Sequence, residues 1–485
     1  MSTQTPPSSA GPGAASAVEF ERVDARYFEQ RQLKRGAAGW VLLVGLGVAY
    51  VISGDYAGWN FGLAQGGWGG MFIATLLMAA MYLCMCLSLA ELASMIPTAG
   101  GGYGFARTAF GPWGGFLTGT AILIEYAIAP AAIACFIGAY CESLFGVGGW
   151  RVYLAFYVVF IGVHVLGAGE ALKLMFGITA VAVVALVVFL VGMVPSFQWA
   201  NLFDIAPTSA AGANVVLPFG YVGVWAAIPY AIWFFLAVEG VPLAAEETRN
   251  PQRDLPRGLI GAVCVLLVFA LLILLIGPGG AGARALMASG DPLVQALQRA
   301  HGGPTWMSQC VNLVGLAGLI ASFFSIIYAY SRQIFALSRA GYLPRGLSRT
   351  NRNQAPVAAL VVPGIIGFGL SLTGQGDLLI LVAVFGATLS YVLMMAAHIT
   401  LRVRRPQMAR PYRTPGGIVT SGIALVLACV ALVAGFVVDP RVVVGAAAVY
   451  AVLIMYFALV SRHHLVSGTP EEEFAAIQQA EAGLH

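Results

Sequence analysis

The chain has 485 residues, of which 59% are hydrophobic and only 9% charged, and its mean hydropathy is +0.84. Soluble domains carry roughly 25% charged residues, so this composition excludes one large soluble domain. The net charge of +4 gives no indication of nucleic-acid binding. Apolar runs of roughly 20 residues recur from Trp40 to Val460, each long enough to cross a bilayer core of about 30 Å. The sequence therefore predicts an all-α integral membrane protein.

Both ends of the chain are predicted to be tails in the cytoplasm, residues 1–38 and residues 462–485. The first 18 residues are rich in Ser, Pro, Gly and Ala, and no cleavable signal is evident, so we expect the N-terminal tail to be partly disordered. With the N-terminus inside, 21 of the 25 Lys and Arg residues lie in cytoplasmic segments. Cytoplasmic loops of membrane proteins carry an excess of Lys and Arg, so this distribution predicts that both ends of the chain lie in the cytoplasm.

Twelve membrane spans are predicted between the two tails. Their length follows from the bilayer thickness, and their ends follow from charged residues, glycines and prolines. The predicted spans are 39–65, 69–95, 113–142, 151–166, 170–195, 219–246, 256–278, 307–338, 357–374, 377–401, 420–437 and 442–461.

The first and the sixth span are interrupted in the same way. The first contains "SGDYAG", residues 53–58, and the sixth contains "LAVEGVP", residues 236–242. Glycine and proline weaken a helix, and freed backbone at membrane depth is tolerated only where it lines a cavity. Paired interruptions of this kind indicate an inverted-repeat transporter with substrate bound at the breaks. The repeats would be residues 39–195 and 219–401, with residues 420–461 as an addition.

Three acidic residues lie deep in the predicted spans: Asp55, Glu125 and Glu239. A charge at mid-bilayer costs several kcal/mol, so each needs a cavity, a partner or a proton. We expect no Lys or Arg deep in any span. Either some of these acids are protonated, or a cation from outside completes the site.

Structural alternatives exist for each acid. Asp55 could cap the second half of span 1, as aspartate often does at helix starts. Glu239 could bond to the freed backbone of span 6, and Glu125 could be a neutral hydrogen-bond donor between helices. Glu91, at the inner end of span 2, is expected to hold the following loop "IPTAGGGYG".

Aromatic residues cluster beside the three acids. They are Tyr56 and Trp59 near Asp55, Tyr126 near Glu125, and Trp233, Phe234 and Phe235 before Glu239. Such rings usually pack against helices or lipid. Beside carboxylates that lack a partner they would also suit an ammonium group, with a cation–π attraction of about 1 to 2 kcal/mol when desolvated.

Four stretches make the chain resemble the amino acid–polyamine–organocation (APC) transporters over nearly its whole length. They are "ISGDYAGW", "AELASMIPTAGGGYGFARTAFGPWGGFLTG", "WFFLAVEGVPLAAEETRNPQRDLPRGL" and "YSRQIFALSRAGYLP". The third, with its acidic pair and "NPQRDLP", is the most specific. Within the superfamily, "SGDYAGWNFG" and "GTAILIEYAIAPAAIA" are most similar to bacterial ethanolamine permeases.

The resemblance implies a LeuT-type 5+5 inverted repeat with helices 1 and 6 broken, two extra C-terminal helices and alternating access. It places the backbone amides of Ser53 and Gly54 where amino-acid-transporting relatives bind a carboxylate, with Asp55 at a position that is usually apolar. The segment from Trp233 to Glu239 is similar to the span 6 segment of the arginine/agmatine antiporter. Many proton-coupled relatives carry a lysine in span 5, and the matching "ITAVAVVAL" has none.

These features lead to one functional hypothesis: uptake of ethanolamine or a close amino alcohol across the bacterial cytoplasmic membrane. Protons are the expected coupling ion. Asp55 would oppose a substrate carboxylate and attract an ammonium group. The expected substrate-binding residues are Ser53, Gly54, Asp55, Tyr56, Glu125, Tyr126, Trp233, Phe234 and Glu239, with Glu239 also the candidate for gating or proton coupling.

The alternatives are a permease or antiporter for zwitterionic or basic amino acids, a channel, or a receptor. The seven cysteines show no metal-binding spacing, and no motif indicates a catalytic domain, so we expect no enzyme activity, no metal and no cofactor. The expected partners are the small organic cation and the lipid bilayer, with no nucleic acid.

Overall fold

A computed structural model describes residues 18–21, 23, 27 and 38–466, and the side chains of residues 168–173 lie outside that description. Most of the predicted N-terminal tail and residues 467–485 of the C-terminal tail lie outside the described residues. Within them, nine helices are long and apolar enough to cross a membrane, and three shorter apolar helices accompany them. The structure is that of an all-α, multi-pass membrane protein, as the composition predicts.

Six helices form the first part of the fold. The second is a single turn, and the third and fourth are kinked where the backbone departs from helical geometry at a glycine. The helices are α1 Trp40–Val51, α2 Ser53–Tyr56, α3 Phe61–Met95, α4 Gly102–Phe145, α5 Trp150–Leu166 and α6 Ala168–Met193.

Nine further helices form the second part. Short 3-10 segments, including Val238–Glu247, connect or extend several of them. The helices are α7 Gly220–Trp233, α8 Pro251–Ala281, α9 Ala283–Leu286, α10 Pro292–Ala300, α11 Trp306–Arg339, α12 Val357–Ser371, α13 Gly376–Arg404, α14 Ile418–Val438 and α15 Pro440–Leu459.

Two of the long helices contain kinks that shift the predicted span limits. In α3, Gly67 has φ 65°, which separates a short first segment, Phe61–Gly66, from the long helix that follows. In α4, which begins at Gly102 and so eleven residues before the predicted start of span 3 at residue 113, Gly111 has φ 76° and kinks the helix. These backbone angles suit glycine, which lacks the Cβ that would clash.

The centre of the fold is the most completely buried part. Helix α4 packs extensively against α13 and α11, helix α3 packs against α7, and α1 packs against α8. The interrupted helices α1 and α7 therefore lie inside a bundle rather than at its edge. This packing positions the polar residues described next.

The two ends of the described chain meet in a short parallel β-ladder. Strand β1, Phe20–Glu21, pairs with β2, Leu465–Val466. The Glu21 carboxylate contacts Arg345 at 2.7 Å and His464 at 2.8 Å. The Tyr27 hydroxyl donates to the Arg339 carbonyl at the end of α11, at 2.8 Å. The first and the last described segments of the chain therefore lie at the same end of the molecule.

Candidate substrate site at the broken helices

Helix α1 ends at Val51 and the long helix α3 begins only at Phe61; the irregular segment between them contains just the single turn α2, Ser53–Tyr56. Three side chains from other helices bond to carbonyl groups of this irregular segment and of the last turn of α1. The bonds are Ser322 Oγ to the Tyr50 carbonyl at 2.7 Å, Tyr140 Oη to the Tyr56 carbonyl at 3.1 Å, and Trp233 Nε1 to the Ala57 carbonyl at 3.0 Å. Backbone freed inside a membrane protein needs such partners, because lipid offers none.

Helix α7 is interrupted after Trp233. Ala237 has φ 76°, a left-handed conformation that is unusual for a residue with a Cβ, and the 3-10 segment Val238–Glu247 follows. Single left-handed residues of this kind cost of order 1 kcal/mol and persist where surrounding packing holds them. The interruption is predicted from Gly240 and Pro242, but the residue with the strained backbone is Ala237.

The two interrupted segments touch directly at Gly54. A Cβ added at Gly54 would lie 2.3 Å from the Trp233 carbonyl oxygen and 3.2 Å from the Phe234 Cα. Only glycine permits this approach of backbone to backbone. The contact, together with the bond from Trp233 Nε1 to the Ala57 carbonyl, holds the breaks of α1 and α7 against each other.

Asp55 lies in this irregular segment with its side chain buried, at 1% exposure. Among the described residues, neither carboxyl oxygen has a hydrogen-bond partner. The helix that resumes at Phe61 has Asn60 at its N-cap position, so the capping role considered for Asp55 is wrong. A buried carboxyl group without partners is costly, and such groups are expected where a ligand or an ion completes the site.

The residues beside Asp55 differ in what they contact. The Tyr56 hydroxyl donates to the Ala182 carbonyl at 2.7 Å, and its ring packs against Gly315 and Gly318 of α11. Ser53 Oγ lies 2.8 Å from Ser322 Oγ. These contacts fix the turn that carries Asp55. They also occupy the hydroxyl groups of Tyr56 and Ser53.

A second polar centre joins α4, the break after α7, and α13. Glu239 accepts hydrogen bonds from Tyr126 Oη at one oxygen and from Tyr391 Oη at the other, both at 3.0 Å. Tyr391 Oη also lies 3.5 Å from Glu125 and 3.0 Å from Tyr82 Oη. The carboxyl groups of Glu125 and Glu239 therefore both lie beside the Tyr391 hydroxyl group.

The Glu125–Glu239 pair needs a positive partner. Two carboxylates about 4 Å apart repel by about 4 kcal/mol at an effective dielectric of about 20. No Lys, Arg or His side chain contacts either carboxyl group among the described residues, and Glu125 Oε2 has no hydrogen-bond partner there. A proton shared by the pair, or an ammonium group beside it, would remove the repulsion.

The predicted site residues therefore form two groups. Glu125, Tyr126 and Glu239 contact one another, directly or through Tyr391. Asp55 belongs to a second group, the α1 break, which the Trp233 backbone joins to the α7 break. Phe234 stacks on Trp59, with ring centroids 5.7 Å apart.

Sequence reasoning missed Tyr82 and Tyr391, whose hydroxyl groups complete the acidic centre. A tyrosine in the middle of an apolar span needs a partner for its hydroxyl group, which is the signal that could have identified them. The chain has 18 tyrosines, however, and the sequence does not show which of them converge. Tyr50 was also missed, and it differs from these two tyrosines because its buried hydroxyl group has no partner in the described part of the chain.

A buried basic side chain lies near the end of α11. Arg332 is buried there, and its Nη2 lies 2.6 Å from Glu247 Oε1, while Tyr328 Oη donates to the other Glu247 oxygen. Arg339, two turns beyond, contacts Glu246 at 2.8 Å. The acidic pair that follows the α7 break thus joins this segment to the end of α11.

Glu91 holds a different segment from the one predicted. Its carboxyl group contacts Arg402 and accepts from Arg410 Nε at 3.0 Å and from the Thr414 amide at 2.7 Å. These residues belong to the end of α13 and to the connection to α14. The glycine-rich loop after α3 is instead tied through the Ala99 amide, which donates to Glu246 at 3.3 Å.

Aromatic residues separate the α1 and α7 breaks from a cavity at the opposite end from the termini. The cavity measures about 460 Å³ and is lined by residues that include Gln65, Tyr230 and Asp377. Phe61 and Phe136 border it, and Phe136 also packs edge-on against the Trp233 ring, with centroids 6.2 Å apart. Phe136 therefore contacts both this cavity and the α7 break.

Membrane-spanning helices with two central breaks and buried acidic groups define the class of multi-pass membrane transporters. The chain belongs to the amino acid permease family, within the APC superfamily: the family model described as "Amino acid permease" matches residues 39–460. The protein is therefore a transporter and not an enzyme.

Curated relatives cover most of the chain. It is 27% identical to the branched-chain amino acid permease BcaP of Bacillus subtilis, over 90% of this chain and 95% of the relative. It is 26% identical to the methylthioribose transporter of the same organism, over 79% and 84%. An uncharacterized transporter of Rhizobium meliloti is 28% identical, over 81% and 84%.

Proposed function

We propose that this transporter imports ethanolamine or a closely related small amino alcohol by alternating access. The observation that carries the proposal is Asp55, a buried carboxyl group at the α1 break whose two oxygens bond to none of the described residues. An ammonium group supplies the missing hydrogen-bond donors and the missing charge. Coarser support comes from the family, whose members are permeases and transporters of small organic solutes.

Asp55 also opposes the substrate of an ordinary amino acid permease. A carboxylate bound at the amides of Ser53 and Gly54 would lie within a few ångströms of the Asp55 carboxyl group. At about 4 Å the repulsion is about 4 kcal/mol, which corresponds to at most about a thousandfold in affinity. Ethanolamine escapes this penalty because it has an ammonium group and a hydroxyl group but no carboxylate.

The Glu125–Glu239 pair is proposed as the second cation site and as the link to protons. When no ammonium group is present, a shared proton balances the pair, and the Tyr126 and Tyr391 hydroxyl groups stabilise the remaining charge on Glu239. An ammonium group that approaches the pair can replace that proton. Exchange of this kind would link the import of each ammonium group to the export of one proton, with Glu239 as the coupling residue.

The aromatic residues have separate proposed roles. Trp233 and Phe234 lie at the α7 break and would provide aromatic faces for the ammonium group. Tyr56 positions Asp55 through its packing on α11 and its bond to the Ala182 carbonyl. The movement of α1 and α7 during alternating access would break the contact between Gly54 and Trp233.

The architecture proposed for this mechanism is twelve spans, with residues 39–195 and 219–401 as LeuT-type inverted repeats and residues 420–461 as an addition. Both termini would face the cytoplasm across the bacterial inner membrane. The β1–β2 pairing supports this, since termini at one end require an even number of spans. The distribution of Lys and Arg favours the cytoplasmic side.

The second candidate is a permease for branched-chain amino acids, favoured by the similarity to BcaP over 95% of that relative. A competition experiment in proteoliposomes separates the two. Labelled ethanolamine uptake is measured against excess unlabelled ethanolamine, serine and leucine. Serine is the matched competitor, because it is ethanolamine with a carboxylate added.

We expect unlabelled ethanolamine to abolish the labelled uptake, and a hundredfold excess of serine or leucine to leave most of it. Leucine uptake that exceeds ethanolamine uptake would instead support the amino acid permease. Repeating the assay across a pH gradient tests the proton link. Glu239→Gln is expected to remove the dependence of uptake on the gradient, while labelled ethanolamine still exchanges with unlabelled ethanolamine across the bilayer.

A further inference from the structure

A cavity separate from the broken helices lies at the start of α8. It measures about 820 Å³, within the size range of ligand sites. Its lining combines the first turns of α8, the first residue of α1, Trp40, and the connection between α13 and α14, which contributes Tyr412. None of the residues proposed for transport lines it.

Two arginines on one face of α8 give this cavity its charge. Arg253 and Arg257 are one helical turn apart, both are exposed, and neither forms an ion pair with any residue that the structure describes. The lining includes no acidic residue among the described ones. Arginine binds phosphate groups bidentately, and the N-terminal end of α8 adds the favourable end of the helix dipole.

The remaining lining places the cavity at the membrane surface. Trp40 is 47% exposed and begins the apolar helix α1, while α8 has no charged residue from Leu259 to Ile276. Tryptophan and tyrosine concentrate at the membrane–water interface, where Trp40 and Tyr412 would lie. The cavity therefore joins a cationic part to an apolar part at the depth of the lipid headgroups.

We propose that this cavity binds an anionic phospholipid, with the phosphate and headgroup at Arg253 and Arg257 and the glycerol and upper acyl chain against Trp40 and Ile260. A phospholipid matches both parts of the lining, whereas a free phosphate would use only the arginines and leave most of the volume empty. The site would tie the start of α8, and through it the segment after the α7 break, to the lipid composition of the leaflet.

The test is a titration of delipidated protein in a neutral detergent, followed by native mass spectrometry. Short-chain phosphatidylglycerol, short-chain phosphatidylcholine and inorganic phosphate are compared. We expect phosphatidylglycerol to bind at least tenfold more tightly than phosphatidylcholine, and inorganic phosphate at equal concentration to leave its binding unchanged. Equal affinity for the two lipids, or displacement of phosphatidylglycerol by inorganic phosphate, would overturn the proposal.

Variants assign the binding to this cavity. In the double variant Arg253→Gln, Arg257→Gln, phosphatidylglycerol should bind about 30-fold more weakly, since each basic residue near the surface contributes about 1 kcal/mol. The matched control is Arg349→Gln, Arg352→Gln, which removes two exposed arginines from another connection and should change the affinity less than twofold. Equal effects of the two double variants would show a nonspecific charge effect and refute the site.

Trp40→Ala examines the apolar part independently of charge. It should weaken both lipids by the same factor and leave the preference for phosphatidylglycerol intact. Unchanged binding of both lipids in this variant would contradict the proposed position of the acyl chain. All these positions are exposed, and monodispersity by size-exclusion chromatography confirms that each variant is folded before titration.

Discussion

Replacing Gly54 with alanine tests whether the two breaks are held together as the structure describes. The added Cβ would lie 2.3 Å from the Trp233 carbonyl oxygen, against ordinary contacts of 3.4–4 Å, so the two segments must separate by about 1 Å. Overpacking of this kind costs about 1 to 3 kcal/mol. The 3.0 Å bond from Trp233 Nε1 to the Ala57 carbonyl would also be lost, at about 0.5 to 1.5 kcal/mol.

We therefore expect Gly54→Ala to lower the free energy of unfolding by about 1.5 to 4.5 kcal/mol, the sum of the two effects. Unfolding by SDS titration in mixed micelles measures it. Gly177→Ala in α6 is the matched control, because a Cβ there meets no atom within 4 Å and alanine favours helix. Trp233→Phe removes the hydrogen bond without adding a Cβ and should show only the smaller part of the loss. The close approach of α1 and α7 would be refuted if Gly54→Ala were as stable as Gly177→Ala.

Two further predictions concern charged contacts outside the site. Arg332→Gln leaves Glu247 buried without its cation and should cost about 3 to 5 kcal/mol in SDS titration, whereas the double variant with Glu247→Gln should cost less than Arg332→Gln alone. The hydrogen bond from His464, together with Arg345, lowers the pKa of Glu21 below its ordinary value of 4.5. The β1–β2 pairing should therefore be stabilised by Glu21 above about pH 4.5 and lose that contribution as the pH falls through the lowered pKa, which hydrogen exchange at the Phe20 and Glu21 amides would detect.

Each of these two predictions has its own control. For the ion pair, additive losses in the double variant would contradict the view that an uncompensated buried charge causes the destabilisation. For the terminal strands, exchange is compared at every pH with Glu21→Gln, which cannot titrate. A step in protection at low pH that persists in this variant would exclude Glu21 as its cause.

Sequence patterns predict the parts of this fold that depend on composition and on local chain chemistry. The apolar runs predict the membrane helices, and Asp55 between two glycines indicates the irregular segment after α1. The acids Glu125 and Glu239 stand out because carboxyl groups are rare at membrane depth. Each of these signals lies within one short stretch of the chain.

The structure differs from the expectations where a contact or a backbone conformation depends on segments that are far apart in the sequence. Tyr82 and Tyr391 are 309 residues apart and meet only because α3 and α13 both pack beside the α7 break. Ala237 adopts a left-handed conformation that no local residue preference would predict. Arg332 and Glu91 contact partners 85 and 311 residues away, which their own surroundings in the sequence do not specify.

The most direct test of the proposed function is equilibrium binding of ethanolamine to purified wild-type protein and to Asp55→Asn. Losing the charge that faces the ammonium group should cost about 1.5 to 3 kcal/mol, so the affinity should fall by about 10- to 150-fold. Glu142→Gln, which neutralises an exposed carboxylate, should bind ethanolamine as the wild type does. Unchanged affinity in Asp55→Asn would contradict the proposal that this carboxyl group binds the substrate ammonium.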